Sequence, residues 1–270
     1  MRADLSKRLV RDELWELVAP LLPSFAARPQ GGGTAPRDER AVFTAVVCVL
    51  TSACAWRYLP ESFGVSPATA HRRLSVWTEV GLWRRLPGGA GRTRRQGRVG
   101  LVVRDRRCRV GAGKWGLADR AESGRCGKKG SKLHVLSEGQ GLPLVVAVSG
   151  ANLHDSQAFK ALILGIPAIR SRRGPRRSRP VKVRADKAYY SAEQMRWLRD
   201  RRLVPRIARP GIESGERLGR HRWKIERSIA WLFGYRRLTV RYERKGSHFL
   251  AFLGLAAALT CYKRLAKLAT

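Results

Sequence analysis

KLHVLSEGQGLPLVVAV, Lys132 to Val148, is the stretch that decides the fold. Lys132–Ser137 and Leu142–Val148 are two apolar runs separated by the turn residues Glu138-Gly-Gln-Gly141. Two such runs around a short Gly-containing turn predict a β-hairpin. Asn152-Leu-His154-Asp155-Ser156 follows and reads as the cap of a helix over roughly Gln157–Leu164. His154 and Asp155 resemble an acid/base pair, but one of them is better placed as the helix N-cap. A basic loop, Arg170–Arg179, leads into Val181-Lys-Val-Arg-Ala-Asp186, a buried-strand pattern that ends on an acid. Ser191 caps a helix to Arg201, and Leu203–Ile207 is a short strand. A helix around Glu226, a strand or turn at Leu238–Tyr242 and an apolar helix from His248 complete the series. Hairpin, helix, strand, helix, strand, helix predicts an α/β domain with a mixed sheet over 131–270.

Residues 1–85 read as helical. Asp12–Leu22 is a short amphipathic helix stopped by Pro23, and Asp38 caps a long apolar helix over Glu39–Trp56. Ser66-Pro67 is an N-cap followed by a proline in the first turn, after a turn at Gly64. The helix beyond it is expected to turn Thr69, His71, Arg72 and Arg73 outward and Ala70, Leu74 and Trp77 inward. This is a helix-turn-helix pattern, whose second helix suits the major groove; an ordinary helical hairpin with solvated arginines fits the same residues. Residues 86–130 break the pattern. Gly and Arg dominate there, and Val99–Val103 alone reads as a strand. A phosphate-binding Arg/Gly segment without regular structure is one reading.

Composition narrows the partner. Lys and Arg number 55 against 20 acids, a net charge of +35, which points to a polyanion, and nucleic acid is the obvious one. An RNA-binding module is disfavoured because no RNP-like or KH-like motif occurs. No signal-peptide core opens the sequence, and the apolar run Phe249–Thr260 is too short to span a bilayer. A cytoplasmic, nucleoid-associated protein with no membrane partner is expected. The cysteines, Cys48, Cys54, Cys108, Cys126 and Cys261, show no C-x-x-C spacing. Cys48, Cys54 and Cys261 sit in apolar helical runs and read as core residues.

Two acids stand out. Asp186 ends a strand. Glu226 lies in RHRWKIERSIAWLFGYRRL (Arg220–Leu238), on the flank of an apolar stripe of Ile225, Ile229 and Leu232. A salt bridge from Glu226 to Arg222 on an amphipathic helix is the plainer reading. Carboxylates from a strand end and a neighbouring helix can instead hold two divalent metals ~3.5–4 Å apart for phosphoryl transfer. Mg²⁺ favours such sparse carboxylate sites.

Ala185-Asp186-Lys187-Ala188-Tyr189 and Arg222-x-x-x-Glu226 resemble bacterial insertion-sequence transposases of the RNase H-like DDE superfamily, family-five group. GSKLHVLSEGQGLPLVVAVSGANLHDSQ and RYLPESFGVSPATAHRRLSVW resemble the same group, so the resemblance covers 1–85 and 129–270. It implies an RNase H-like mixed sheet with flanking helices, preceded by an all-helical DNA-binding region. It implies Asp186 as the second and Glu226 as the third acid, both catalytic and metal-binding, with Mg²⁺ (Mn²⁺ possible) at a two-metal site. Arg72, Arg73, Lys187, Arg222 and Arg236 or Arg237 are the implied DNA contacts. The partners are double-stranded DNA, as element ends and target, and further copies of the chain on that DNA. The Tyr-x2-Arg-x3-Glu-x6-Lys signature is incomplete, with Gly219 and Phe233 at its outer positions, and Tyr190 stands where relatives often carry an acid.

The first acid belongs on the strand before the hairpin, within 87–128. Asp105 and Asp119 are the aspartates there, neither in a family-like context. Codons exist for Arg104–Gly113 that read Ala-Thr-Val-Asp-Ala-Ala-Ser-Val-Arg from the second base. Comparable codons for Gly88–Arg94 give Ala-Val-Leu-Asp-Glu-Leu, and those for Arg120–Cys126 give Gly-Pro-Ser-Pro-Val-Asp. All three peptides fit the expected order, so the segment reads as an out-of-frame insert without regular structure, and the missing Asp straddles Arg107 and Cys108. A genuine Arg/Gly insertion is the alternative. A chain without that acid binds DNA through its basic surface as an inactive remnant. Sequencing the gene checks the frame: its codons over Arg104–Gly113 are expected to spell Val-Asp-Ala-Ala-Ser-Val one base on, and any other peptide there refutes the shift.

Overall fold

The computed structural model describes residues 2–24, 37–89, 98–106, 130–167, 169–170, 176–177, 179–185, 189–207 and 226–269. Helices α1 (Arg2–Leu9), α2 (Asp12–Val18), α3 (Glu39–Ser52), α4 (Pro67–Glu79) and α5 (Leu82–Gly89) come first. Their boundaries follow local chemistry. The Asp38 carboxylate accepts from the backbone N–H of Arg40 and Ala41, two donors that the first turn of α3 leaves without helical partners. Ser66 Oγ takes the Thr69 N–H, and Pro67 opens α4. Between them Gly64 turns the chain at φ +65°. α3 stops at Ser52, short of the expected Trp56, because Ala53 turns left-handed and Trp56–Tyr58 form their own 3₁₀ turn.

The remaining elements are β1 (Arg98–Arg106), β2 (Ser131–Glu138), β3 (Pro143–Gly150), α6 (Ser156–Leu164), β4 (Ile169–Arg170), β5 (Arg176–Arg177), β6 (Lys182–Ala185), α7 (Ala192–Asp200), β7 (Val204–Ile207), α8 (226–233) and α9 (Gly246–Ala269). The expected hairpin is β2–β3, joined through Gly141 at φ +91°. Five strands form one sheet in the order β3-β2-β1-β6-β7. β1, β2 and β3 are antiparallel neighbours, whereas β6 runs parallel to β1, and β7 to β6. The edge strands β3 and β7 carry Pro143 and Pro205, placed where a missing N–H is tolerated.

Three expectations change. The segment 86–130 was expected to lack regular structure beyond Val99–Val103; β1 covers Arg98–Arg106 and sits centrally in the sheet. The basic loop 170–179 contains part of the two-stranded β4–β5 ribbon. Arg236–Leu238 form a 3₁₀ turn, and no strand is assigned at Leu238–Tyr242.

Strand alternation splits the sheet between two cores. Leu133 and Val135 of β2, with Val146 and Val148 of β3, face the N-terminal helices and α9. Leu136, Val145, Ala147, Val183 and Ala185 face α6 and α7 on the other side. α9 is the spine of the first core, with Phe249, Phe252, Leu253 and Ala256 buried. A Cβ on Gly254 would stand 3.0 Å from the Trp83 Cβ, so the bare glycine is what lets α5 pack closely on α9. Over Gly246–Ala266 this helix is long and apolar enough to cross a bilayer by length and composition alone. Here it is buried in protein against α4, α5 and β3.

The connection from α8 to α9 is fixed by ions. Arg237 Nε donates to Glu243 Oε1 at 2.7 Å, with both side chains 4% exposed. Arg237 Nη1 donates to the Cys54 carbonyl at 2.8 Å, which ties the connection to the end of α3. Arg241 Nη1 donates to Ser131 Oγ at 2.6 Å, at the start of β2. Arg237→Ala would strand the Glu243 carboxylate in the interior and is expected to lower unfolding free energy by about 3–5 kcal/mol. Replacing Arg237 and Glu243 together with apolar residues should recover most of that loss. Urea denaturation of the single and double variants measures both.

Candidate active site and nucleic-acid interface

Asp186 follows Ala185, the last residue of β6; residues 186–188, Lys187 among them, lie outside the described residues. The residues that bracket them are well anchored. Ala185 and Tyr189 are buried in the α6–α7 core, and the Tyr189 ring packs 5.7 Å from Phe159. The Tyr189 hydroxyl lies 3.4 Å from His134 Nδ1 on β2, and His134 Nε2 lies 2.7 Å from Ser149 Oγ on β3. This polar line reaches from the end of β6 past β1 to the edge strand. Burial pushes the His134 imidazole down to about 4; Asp155 opposes that shift and Lys132 adds to it.

Glu226 is exposed in α8, whose Ile229 and Leu232 turn inward as their spacing predicts. Ser228 Oγ donates to the Gly141 carbonyl at 2.5 Å, and Arg227 donates to the Gln140 carbonyl. α8 is therefore seated on the β2–β3 turn. Register locates that seat relative to β6. Ala185 is level with Leu101 of β1, and Leu101 with Leu136 of β2. The turn starts at Glu138, opposite Val99 and so level with Val183, roughly 7 Å back from Ala185 toward the start of β6. β6 and the seat of α8 thus lie on either side of β1, with the seat toward the start of β6.

Among the described residues, no three His, Cys, Asp or Glu side chains gather closely enough to hold a metal. Glu138 is buried and accepts the Gln140 N–H at 2.9 Å, which spends one of its oxygens on the turn. Of the two predicted metal-binding acids, Glu226 lies among the described residues, and it is exposed. Arg107 and Cys108, where the first acid was expected, and Arg222 lie outside the described residues. Asp105 lies in β1, opposite Lys132 near the far end of the β1–β2 ladder.

The predicted DNA contacts divide. Arg72 is exposed on α4, as expected. Arg73 is turned inward, 3.1 Å from Glu39 Oε1, and joins α4 to α3. Burial lowers the Arg73 pKa and raises that of Glu39, and each charge opposes the other's shift. Arg236 is exposed; Arg237, paired with Glu243, is not. Burial of a cation beside an acid removes it from solvent, so Arg73 and Arg237 are corrected from surface contacts to internal ties. Asp155 occupies the N-cap position of α6 but directs its carboxylate to Lys132 at 3.1 Å, while His154 Nδ1 accepts the Ser156 N–H. The capping atom is the imidazole nitrogen. Cys261 is buried and its thiol pushed up to about 12; Cys48 and Cys54 are half-buried against the core. The sequence reading missed His134 and Tyr189. A lone histidine in a hairpin strand and a tyrosine three residues after an acid carry no spacing signal.

Two family models match the chain. One described as "Putative transposase of IS4/5 family" matches residues 10–87, and one described as "Transposase DDE domain" matches residues 93–261. The chain is 38% identical over 183 residues to the "Putative transposase for insertion sequence element IS402" of Burkholderia cepacia, which covers 65% of this chain and 84% of that protein. It is 39% identical over 84 residues to the "Insertion element IS402 uncharacterized 16.2 kDa protein" of the same organism, which covers 30% of this chain and 57% of that protein.

His134 gives a pH test. Its folded pKa lies below the ordinary value, so between pH ~6.5 and about 4 the unfolded chain takes up a proton that the folded chain refuses. Its contribution is present above pH ~6.5 and lost as pH falls toward 4, on the order of 3 kcal/mol in all. His134→Gln is expected to flatten that part of the stability–pH curve, read by thermal melts across the window.

Proposed function

We propose, from the premise that this chain belongs to the IS4/5 family of DDE transposases, that it binds the ends of an insertion sequence and carries the domain that cuts and joins DNA strands. The observation that carries the proposal is the topology: β6, the strand whose sequence continues into Asp186, and the turn that seats α8, the helix of Glu226, lie on either side of one central strand, β1. Val183 and Ala185 belong to the α6–α7 core, and Leu232 of α8 belongs to the core on the other face of the sheet. The order β3-β2-β1-β6-β7, with β1 central and β6 parallel to it, supports an RNase H-like sheet.

In this reading residues 1–85 form the DNA-binding region and 131–270 the catalytic domain. Asp186 and Glu226 hold divalent Mg²⁺, or Mn²⁺, which supplies nucleophile activation and charge neutralisation at the phosphate when bound. Exposed Arg72 on α4 and Arg236 after α8 hold DNA phosphates, joined by Lys187 and Arg222. Double-stranded DNA is the substrate, as element ends and target, and copies of the chain assemble on it in the bacterial cytoplasm.

A second reading has one specific observation behind it. Arg107-Cys108 stand where the first acid is expected, which favours a remnant that binds DNA without cutting it. Incubation with end-bearing duplex and Mg²⁺ separates the two. For an active transposase, cleavage is expected to fall to background in Asp186→Ala and in Glu226→Ala, with DNA binding retained. A remnant binds the duplex, leaves it uncut, and gains cleavage when 87–128 is replaced by its shifted-frame translation. A wild-type chain that fails to bind duplex DNA at low salt overturns both.

A further inference from the structure

Two tyrosines stand out on the surface: Tyr58 is 65% and Tyr242 54% exposed. Each has a guanidinium 4.7 Å from its ring centroid, Arg57 over Tyr58 and Arg237 over Tyr242. They lie far apart in sequence, one between α3 and α4, the other between α8 and α9. A chain of ring contacts joins them. Arg237 also lies 5.6 Å from the Phe252 ring, Phe252 packs 6.1 Å from Trp56, and Trp56 meets His71 edge-on at 5.4 Å. His71 in turn packs 5.3 Å from His248, which opens α9 and approaches Ser75 Oγ at 3.3 Å. The Cys54 carbonyl accepts from Arg237 within the same contact set. The Trp56–Tyr58 turn and the Tyr242 loop are thus fixed to one rigid support.

Exposed cations line both parts: Arg57 and Arg72 on one, Arg236, Arg244 and Lys245 on the other. Nearby acids are few. Glu61 is exposed beside the first part, and Glu243 is buried against Arg237. Tyr58 with the exposed Arg57 on its ring offers a phenol donor, a flat apolar face and positive charge together; at Tyr242, where Arg237 is buried, the charge comes from the neighbouring Arg244 and Lys245. That combination fits a sugar–phosphate backbone, where hydroxyl and guanidinium donors meet phosphate oxygens and the ring lies against deoxyribose.

We propose that Arg57 and Tyr58, with Tyr242, Arg244 and Lys245, form one composite surface for the backbone of double-stranded DNA, bridging the N-terminal helices and the α8–α9 connection. The inference rests on the DNA-binding reading above and assigns contacts outside the helix-turn-helix pattern. It also explains the ionic clamp. A surface made of two chain segments works only if their spacing is held, and the Arg237 bonds to Glu243 and Cys54 hold it.

The test is fluorescence-anisotropy binding of the full chain to a 30-base-pair duplex across a salt series. Tyr58→Ala and Tyr242→Ala are each expected to weaken binding by about five-fold or more. Arg57→Gln with Arg244→Gln and Lys245→Gln should also lower the slope of log Kd against log salt by about 3. Arg196→Gln with Arg199→Gln and Arg202→Gln, exposed on and just after α7 on the opposite side of the sheet, is the charge-matched control and should leave Kd within two-fold. These side chains are exposed, and unchanged circular dichroism confirms the fold. Wild-type binding with unaltered affinity and slope in the tyrosine and cation variants refutes the composite surface and leaves the DNA-binding reading intact. Loss confined to one half refutes the bridging. A wild-type chain that does not bind refutes the reading on which the surface rests.

Discussion

The buried ion pair between Arg237 and Glu243 is the constraint on which the arrangement of this molecule depends. Two charges removed from water are tolerated only where their geometry is good and their remaining donors are used. Arg237 bonds Glu243 through Nε and the Cys54 carbonyl through Nη1. Tyr242 and Phe252 cover its face. One guanidinium thereby joins the end of α3, the loop after α8 and the first turns of α9. Apolar contact alone is non-directional and would leave those segments free to slide. The ion pair adds direction, and Arg241 repeats the device by bonding Ser131 at the start of β2.

That clamp has consequences for the candidate site. α8 is short in its described part and is held at both ends by groups outside itself. Its start is seated on the Gln140 and Gly141 carbonyls, and its end leads directly into the Arg236–Leu238 turn. The segment after β6 is treated in the same way: Ala185 and Tyr189 are sunk in the core on either side of it, and Tyr189 is tied through His134 to Ser149. Ala185 and Tyr189 on one side of β1, and α8 on the other, are thus each held by contacts outside their own segments.

How much of this was legible follows from the range of each signal. Caps were readable because Asp38 and Ser66 act within three residues of their own helices. The hairpin was readable because its turn residues and its alternation are local. Arg73 was misread because its outward or inward direction depends on Glu39, an acid one helix earlier. Arg237 was misread because nothing in RRLTVRYE says which arginine meets the glutamate. Asp155 was half-read: its position at the start of α6 is local, but its carboxylate turns to Lys132 across the sheet. β1 shows a different failure. Gly and Arg hid a nine-residue strand whose Val99–Val103 centre alone carried a β signal, and the flanking residues pair because β2 and β6 offer ladders on both sides. Tertiary pairing overrode a weak local preference.

The charge of +35 deserves the same discrimination. It points to a polyanion without saying which cations touch it. Arg40 bonds Asp12 and the Val10 carbonyl, Arg73 bonds Glu39, Arg227 bonds Gln140, and Arg237 and Arg241 build the α8–α9 connection. These arginines hold the fold by filling carbonyl and carboxylate acceptors, a role for which the forked guanidinium suits them better than lysine. The exposed cations differ in setting as well as in exposure. Arg57 lies over an exposed tyrosine, whereas Arg201 lies over the half-buried Trp197 on the far side of the sheet. A uniformly basic surface would attract DNA everywhere and orient it nowhere, because screening confines each charge to about 10 Å. Orientation has to come from rigid aromatic and cationic groups held at fixed spacing, and in this chain the buried arginines supply that spacing.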